Sequence, residues 1–224
     1  MHSRPTRSAK GFSLIELLVV ILIISILLTM GAVGLKGLGG KGVTSGVSTT
    51  EAIFDEARAI AVGKGTNSKV LVDITNPQDT ENYKRRIIVV YEELDAQGEP
   101  QTGKWVMSSR AVTLPEATYY SETFSKKKHE PGSGGDKVDE FRFETGKQAY
   151  NGTYLSYSFN SEGICTNPGT SFVIGGGVRQ QGEQPRVTGQ GKRDFAGFII
   201  WRNGRTSLFR GPDEIGIPPE VTNF

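Results

Sequence analysis

From Leu17 to Leu35 no side chain carries a charge, and a lone carboxylate, Glu16, stands at the head of that run. At 1.5 Å per residue the run spans roughly 28 Å as a helix, close to the ~30 Å hydrocarbon core of a bilayer. The segment is therefore long enough to cross a membrane. A secretory signal differs: its apolar stretch is about 7–15 residues and a small-residue cleavage site follows. Here the basic start is present (His2, Arg4, Arg7, Lys10), but the stretch is longer, and Gly34, Lys36 and a glycine cluster follow it with no Ala-x-Ala site. A plain membrane anchor explains the length and the basic flank. It does not explain Glu16, because a carboxylate costs about 2.5–3.5 kcal/mol near the centre of a membrane helix, less towards its edge, and usually marks a pairing. The basic leader argues that the N-terminus stays in the cytoplasm and that everything after about residue 36 lies outside.

The octapeptide Lys10-Gly11-Phe12-Ser13-Leu14-Ile15-Glu16-Leu17 resembles the class III leader of type IV pilins and type II secretion pseudopilins. The resemblance implies that a prepilin peptidase cuts between Gly11 and Phe12 on the cytoplasmic side and then N-methylates Phe12. Glu16 then becomes the fifth residue of the mature chain, where this family carries glutamate. The physical logic agrees with it. Cleavage there leaves the apolar helix attached, the new amino group on Phe12 is a cation in an apolar place, and Glu16 of a neighbouring subunit can neutralise it.

The chain has 224 residues; past the leader and helix about 150 remain, enough for one modest core. The single cysteine, Cys165, rules out an internal disulfide framework and reads as a small buried hydrophobe. Beyond the apolar run lies a glycine-dense stretch (Gly31, Gly34, Gly37, Gly39, Gly40, Gly42, Gly46). Each glycine inside a helix costs roughly 0.8–1.0 kcal/mol relative to alanine, so this stretch reads as a soft helix or a linker. Helical signal strengthens over Thr49–Val62, with Thr49 or Thr50 as a cap and Ile53, Ala57, Ile60 and Ala61 on one face for docking on a sheet. Gly63 and Gly65 end it.

Strand patterns follow at Val70–Ile74, Ile87–Tyr91, Trp105–Val112, Glu140–Phe143, Tyr154–Phe159, Ser171–Ile174, Phe198–Trp201 and Thr206–Phe209. Asn203-Gly204 predicts a two-residue hairpin turn with positive φ at both positions. The expected fold class is α+β: a long N-terminal α-helix, transmembrane in its first half, packed on an antiparallel β-sheet domain. The expected division is a leader at 1–11, a helix at 12–66 that is transmembrane at about 14–35, and a periplasmic β-rich domain at 67–224. The segment Glu56-Ala57-Arg58-Ala59-Ile60-Ala61, the strand–glycine turn around Asn160–Gly163 and the final hairpin Ile199–Arg205 look like the GspH/FimT family of minor pseudopilins and pilins. Lys126–Gly135 and Arg179–Arg193 read as variable surface loops.

No HExxH, GxSxG, CxxC or P-loop pattern occurs, and neither His2 nor His129 is placed for general-base work, so no enzyme and no cofactor is expected. No run of alternating Asp and Asn suggests a calcium loop. DNA is the rival partner, since some FimT-like pilins take part in DNA uptake and Arg202, Arg205 and Arg210 lie on or beside the last hairpin. Against it, Asp194, Asp213 and Glu214 interleave and the net charge is only +2. The resemblance thus implies a minor pseudopilin or pilin in the inner membrane. It would be handled by prepilin peptidase, assemble with other pilins through its N-terminal helix, and contact secreted cargo. A DNA-uptake or adhesion pilin and a membrane-tethered periplasmic domain that never assembles are the alternatives.

Overall fold

The computed structural model describes residues 14–36, 38–129, 135–187 and 194–216; within the first helix, side chains are described for 14–25. The chain divides into two compact units, one ending at Leu38 and the other beginning at Gly39. The first is a helix, α1 (Leu14–Lys36). Among the described residues no helix is long and apolar enough to cross a membrane. The expected span of 14–35 runs past residue 25, beyond which the side chains of α1 lie outside the described set.

The second unit takes in all of α2 (Leu38–Lys64) but its first residue and continues in strands β1 (Ser68–Asp73), β2 (Arg86–Leu94), β3 (Pro100–Met107), β4 (Val112–Thr113), β5 (Thr118–Tyr120), β6 (Glu140–Phe143), β7 (Gly152–Phe159), β8 (Thr170–Gly176), β9 (Phe195–Ile200) and β10 (Thr206–Phe209). All pairings are antiparallel. A larger sheet runs β3-β2-β1-β7-β6 with β4 on β2, and a smaller sheet runs β10-β9-β8-β5. The α+β class expected from the sequence is the class observed.

Helix α2 begins at Leu38, inside the expected 12–66 and eleven residues before Thr49, where the helical signal of the sequence strengthens. Thr50 is not a cap: it is buried inside α2, and its hydroxyl donates to the Gly46 carbonyl at 2.7 Å. Two glycines of this stretch, Gly42 and Gly46, let the helix approach the smaller sheet. A Cβ on Gly46 would lie 2.8 Å from Ile174 Cδ1 and 3.4 Å from Pro115 Cδ, and one on Gly42 would lie 3.0 Å from Thr118 Oγ1. Substituting Gly46 by leucine is expected to destabilise the protein. Overpacking costs roughly 1–3 kcal/mol, and the gain in helix propensity returns only about 0.8 kcal/mol. A thermal midpoint at or above that of the parent would refute the close-approach account. At its other end α2 closes as expected: Thr66 N–H donates to Ala61 O and Gly65 N–H to Val62 O, with Gly65 at φ +64°.

One face of α2 carries Val43, Val47, Thr50, Ile53, Phe54, Ala57 and Ala61, all buried, at helical spacing. That face covers the inner sides of both sheets. The larger sheet contributes Val70, Val72, Ile87, Val89, Leu155, Tyr157 and Phe159, and the smaller Tyr120, Phe172, Ile174, Ala196, Phe198 and Ile200. Phe54 sits at the junction, its ring 5.1 Å from Tyr157, 5.5 Å from Phe172 and 5.0 Å from Phe198. Phe172 and Phe198 are register partners on β8 and β9, and their rings stack at 5.2 Å. Alternate residues face the other way, as strand geometry requires: Leu71, Ile88, Val90 and Tyr154 on the larger sheet, Val173, Phe195 and Phe209 on the smaller.

Two local expectations change, and one short strand was not anticipated. The predicted strand Trp105–Val112 is two strands, β3 and β4, interrupted at 108–111. The short β5 follows Ala117, which takes φ +57°, and pairs with β8. The last hairpin has a three-residue loop, 202–204, with positive φ at Gly204 but not at Asn203. Gly204 N–H donates to Trp201 O and Trp201 N–H to Arg205 O, while the Asn203 side chain accepts from Arg205 N–H. That side-chain bond stabilises Asn203 in an ordinary turn conformation and leaves the left-handed position to glycine alone.

Candidate functional site

The first candidate is the head of α1. Gly11 and Phe12 lie outside the described residues. Glu16 lies in the first helical turn, where the positive end of the helix dipole favours a carboxylate. Around it, Leu14, Ile15, Leu17, Leu18, Val19, Val20, Ile21, Leu22, Ile23 and Ile24 are all exposed within this molecule, from 47% for Val19 to 84% for Leu14. Because these residues are nearly consecutive, they ring the helix rather than striping one side. A helix apolar on every side is a buried helix, in lipid or among other helices. Ser25 interrupts the ring, and its hydroxyl donates back to Ile21 O at 2.8 Å, so its polarity is largely satisfied within the helix.

The second candidate is the arginine set of the C-terminal hairpin. Arg202 opens the hairpin loop and Arg205 follows it, both exposed, and Arg210 follows the far end of β10. Five residues of strand at about 3.3 Å each separate Arg205 from Arg210 by roughly 17 Å, so the three do not converge. The backbone N–H of Arg210 donates to Glu214 Oε2, which brings a carboxylate close to it. Arg58 of α2, absent from the predicted set, reaches this hairpin. Its stem passes the Gly163 and Gly204 turns so closely that a Cβ on Gly204 would lie 2.6 Å from Arg58 Cδ. The residue belongs to a segment already singled out on family resemblance, yet nothing local in the sequence signals its position beneath two turns.

Other chemistry-bearing groups have structural partners. Cys165 is buried, its Sγ donates to Asn167 O, and burial pushes its thiol pKa up. That is the environment of an inert thiol. His129 stacks on Phe209 at 6.4 Å, and burial pushes its pKa down. Lys69, on the outer face of the larger sheet, lies 5.1 Å from the ring centres of both Trp105 and Phe141 and donates to Ser158 Oγ at 2.6 Å. Those rings come from β3 and β6 at opposite edges of the sheet and meet at 5.6 Å, so the sheet curls over Lys69. A cleft of about 510 Å³ opens beside it, with Asn67, Asp139 and Asn167 among its walls. Among the described residues no cluster of His, Cys, Asp or Glu is arranged to hold a metal ion.

Residues 6–32 match the family described as the prokaryotic N-terminal methylation motif. No curated protein matches the chain in sequence. Among solved structures, the chain is similar to the minor pseudopilin EpsH of the type II secretion system of Vibrio cholerae, at 18% identity and a TM-score of 0.40, over 77% of this chain and 96% of that one. A second structure of EpsH gives 15% identity and a TM-score of 0.39, over 75% and 96%. The type IV minor pilin FimU of Pseudomonas aeruginosa gives 14% and 0.35, over 75% and 87%. The chain thus carries an N-terminal prepilin methylation motif, and its structural neighbours include a minor pseudopilin and a minor pilin.

Proposed function

We propose that this protein is a minor pilin-type subunit of a short periplasmic pseudopilus serving type II protein secretion. Its precursor sits in the inner membrane with the N-terminus in the cytoplasm. Prepilin peptidase removes residues 1–11, cutting after Gly11, and methylates the new amino group of Phe12. The apolar helix at about 14–35 holds the subunit in the membrane and, on assembly, packs against the same helix of other pilins. Glu16 of one subunit meets the Phe12 amine of the next, which gives each buried charge a partner. The β-rich domain at 67–224 faces the periplasm and meets sibling subunits or cargo.

The observation that carries this reading is the methylation motif at 6–32, fused to a helix that is ringed by exposed apolar side chains around Glu16. Charge placement supports secretion over DNA uptake: Arg202 and Arg205 stand apart from Arg210, and the net charge of +2 gives little electrostatic pull on a polyanion. Intact mass spectrometry of membrane-extracted protein tests the reading. The expected mature chain begins at Phe12 and carries one added methyl group. An intact Met1, or a start at any other residue, would refute it.

A further inference from the structure

A cavity of about 600 Å³ opens in the second unit, on the side formed by the β1–β2 connection and the segments after β5 and β8. Its charges do not balance. Four cations (Lys84, Lys126, Lys137 and Arg186) line it against two carboxylates, Glu122 and Glu183. Glu122 serves two ammoniums at once, Lys84 at 3.2 Å and Lys137 at 3.2 Å, and Glu183 is taken by Arg186 at 3.4 Å. Lys126, only 9% exposed, has no carboxylate partner among the described residues.

Lys84 is held in place against its own preferences. It is 2% exposed and takes φ +58°, a left-handed conformation that only Ala117 shares among the described non-glycine residues. Two bonds pin it there: its N–H donates to Asp73 O at 2.7 Å, and its carbonyl accepts from Tyr120 N–H at 2.8 Å. Burial pushes the Lys84 ammonium below its ordinary pKa, with Glu122 acting against that shift. Burial likewise works to raise the Glu122 carboxyl, yet Lys84 and Lys137 hold it below the usual carboxylate range. A strained, buried cation that shares its counterion is an arrangement found at ligand sites, where an incoming charge completes the pairing.

We propose that this cavity binds a phosphate monoester, with the phosphoryl group set among Lys84, Lys126, Lys137 and Arg186. A monoester carries about −1.5 to −2 charges at pH 7, which matches the surplus of two cations. Ammonium and guanidinium groups are the usual donors to such oxygens. The cavity falls within the roughly 300–1,000 Å³ range of small-ligand sites and exceeds a bare oxyanion, so the ligand has an organic part. The monoester is either a free small molecule or the headgroup of a lipid.

Calorimetric titration of the full chain in neutral detergent at low ionic strength tests this. Glycerol 3-phosphate represents the free form and lysophosphatidic acid the lipid form; glycerol and acetate are the controls. One saturable site for either phosphate compound is expected, none for the controls, and the tighter of the two identifies the source. Lys126→Ala and Arg186→Ala should each weaken binding at least tenfold, while Lys104→Ala, on exposed β3, should leave it unchanged. Arg186 is 66% exposed, so its variant is expected to keep the parent's thermal midpoint even if Lys126→Ala does not. Absence of saturable binding by both phosphate compounds, equal binding of acetate, or an unchanged affinity in Arg186→Ala overturns the proposal.

Discussion

Replacing Glu16 by alanine is expected to leave the protein inserted and trimmed but to lower its recovery in assembled filaments at least tenfold. The proposed pairing sets a buried carboxylate against a buried amine. A hydrogen bond to a charged group contributes about 1.5–3 kcal/mol, and every 1.4 kcal/mol is tenfold in an equilibrium. Removing the carboxylate also leaves the amine of the neighbouring Phe12 uncompensated in an apolar setting, so the loss per contact lies towards the upper end. Insertion is expected to survive, because alanine at the edge of an apolar helix removes a cost rather than adding one. Glu16→Gln separates charge from shape: it keeps the side chain's size and should fail to assemble as well. Filament recovery equal to the parent's in both variants would overturn the proposed pairing of Glu16 with the Phe12 amine.

The largest effect on stability is expected at Phe54. Truncating a buried phenylalanine to alanine costs about 3–5 kcal/mol, in lost transfer free energy and in the cavity left behind. Here the ring touches aromatic partners from both sheets, so little neighbouring structure is free to collapse into the gap. At about 2–4 °C per kcal/mol for a domain of this size, the thermal midpoint should fall on the order of 10 °C. Phe54→Leu, which keeps most of the volume, should lose far less. A fall of only a degree or two in Phe54→Ala would mean that α2 is not the element joining the two sheets.

Phe54 also illustrates what the sequence conceals. The helical face was legible from Ile53, Ala57, Ile60 and Ala61, whose spacing needs no knowledge of the partner surface. Phe54, one step around the helix, became central only because two sheets rather than one flank α2. The N-terminal motif was legible for a different reason: its information lies in eight consecutive residues. Strand positions could be read from their alternation, whereas β5, three residues long behind a left-handed Ala117, left no period to detect. The basic cavity was hidden altogether. Lys84, Lys126, Lys137 and Arg186 are scattered over a hundred positions, and each alone looks like ordinary surface charge. The close approach at Gly42 and Gly46 was not legible, because propensity weighs what a missing side chain costs a helix, not the contact its absence permits.

That contact has a mechanical consequence. The buried stripe of α2 runs from Val43 to Ala61, while Ser68 Oγ on β1 donates to Ala57 O at 2.7 Å and the Thr206 hydroxyl, at the start of β10, donates to Glu51 Oε1. A tug applied along the axis of this helix would load the whole stripe in shear, with every seated side chain resisting together. No single bond would yield first, as happens when an element is peeled from one end. A chain braced in this way can transmit traction from α2 into its two sheets without the helix sliding loose.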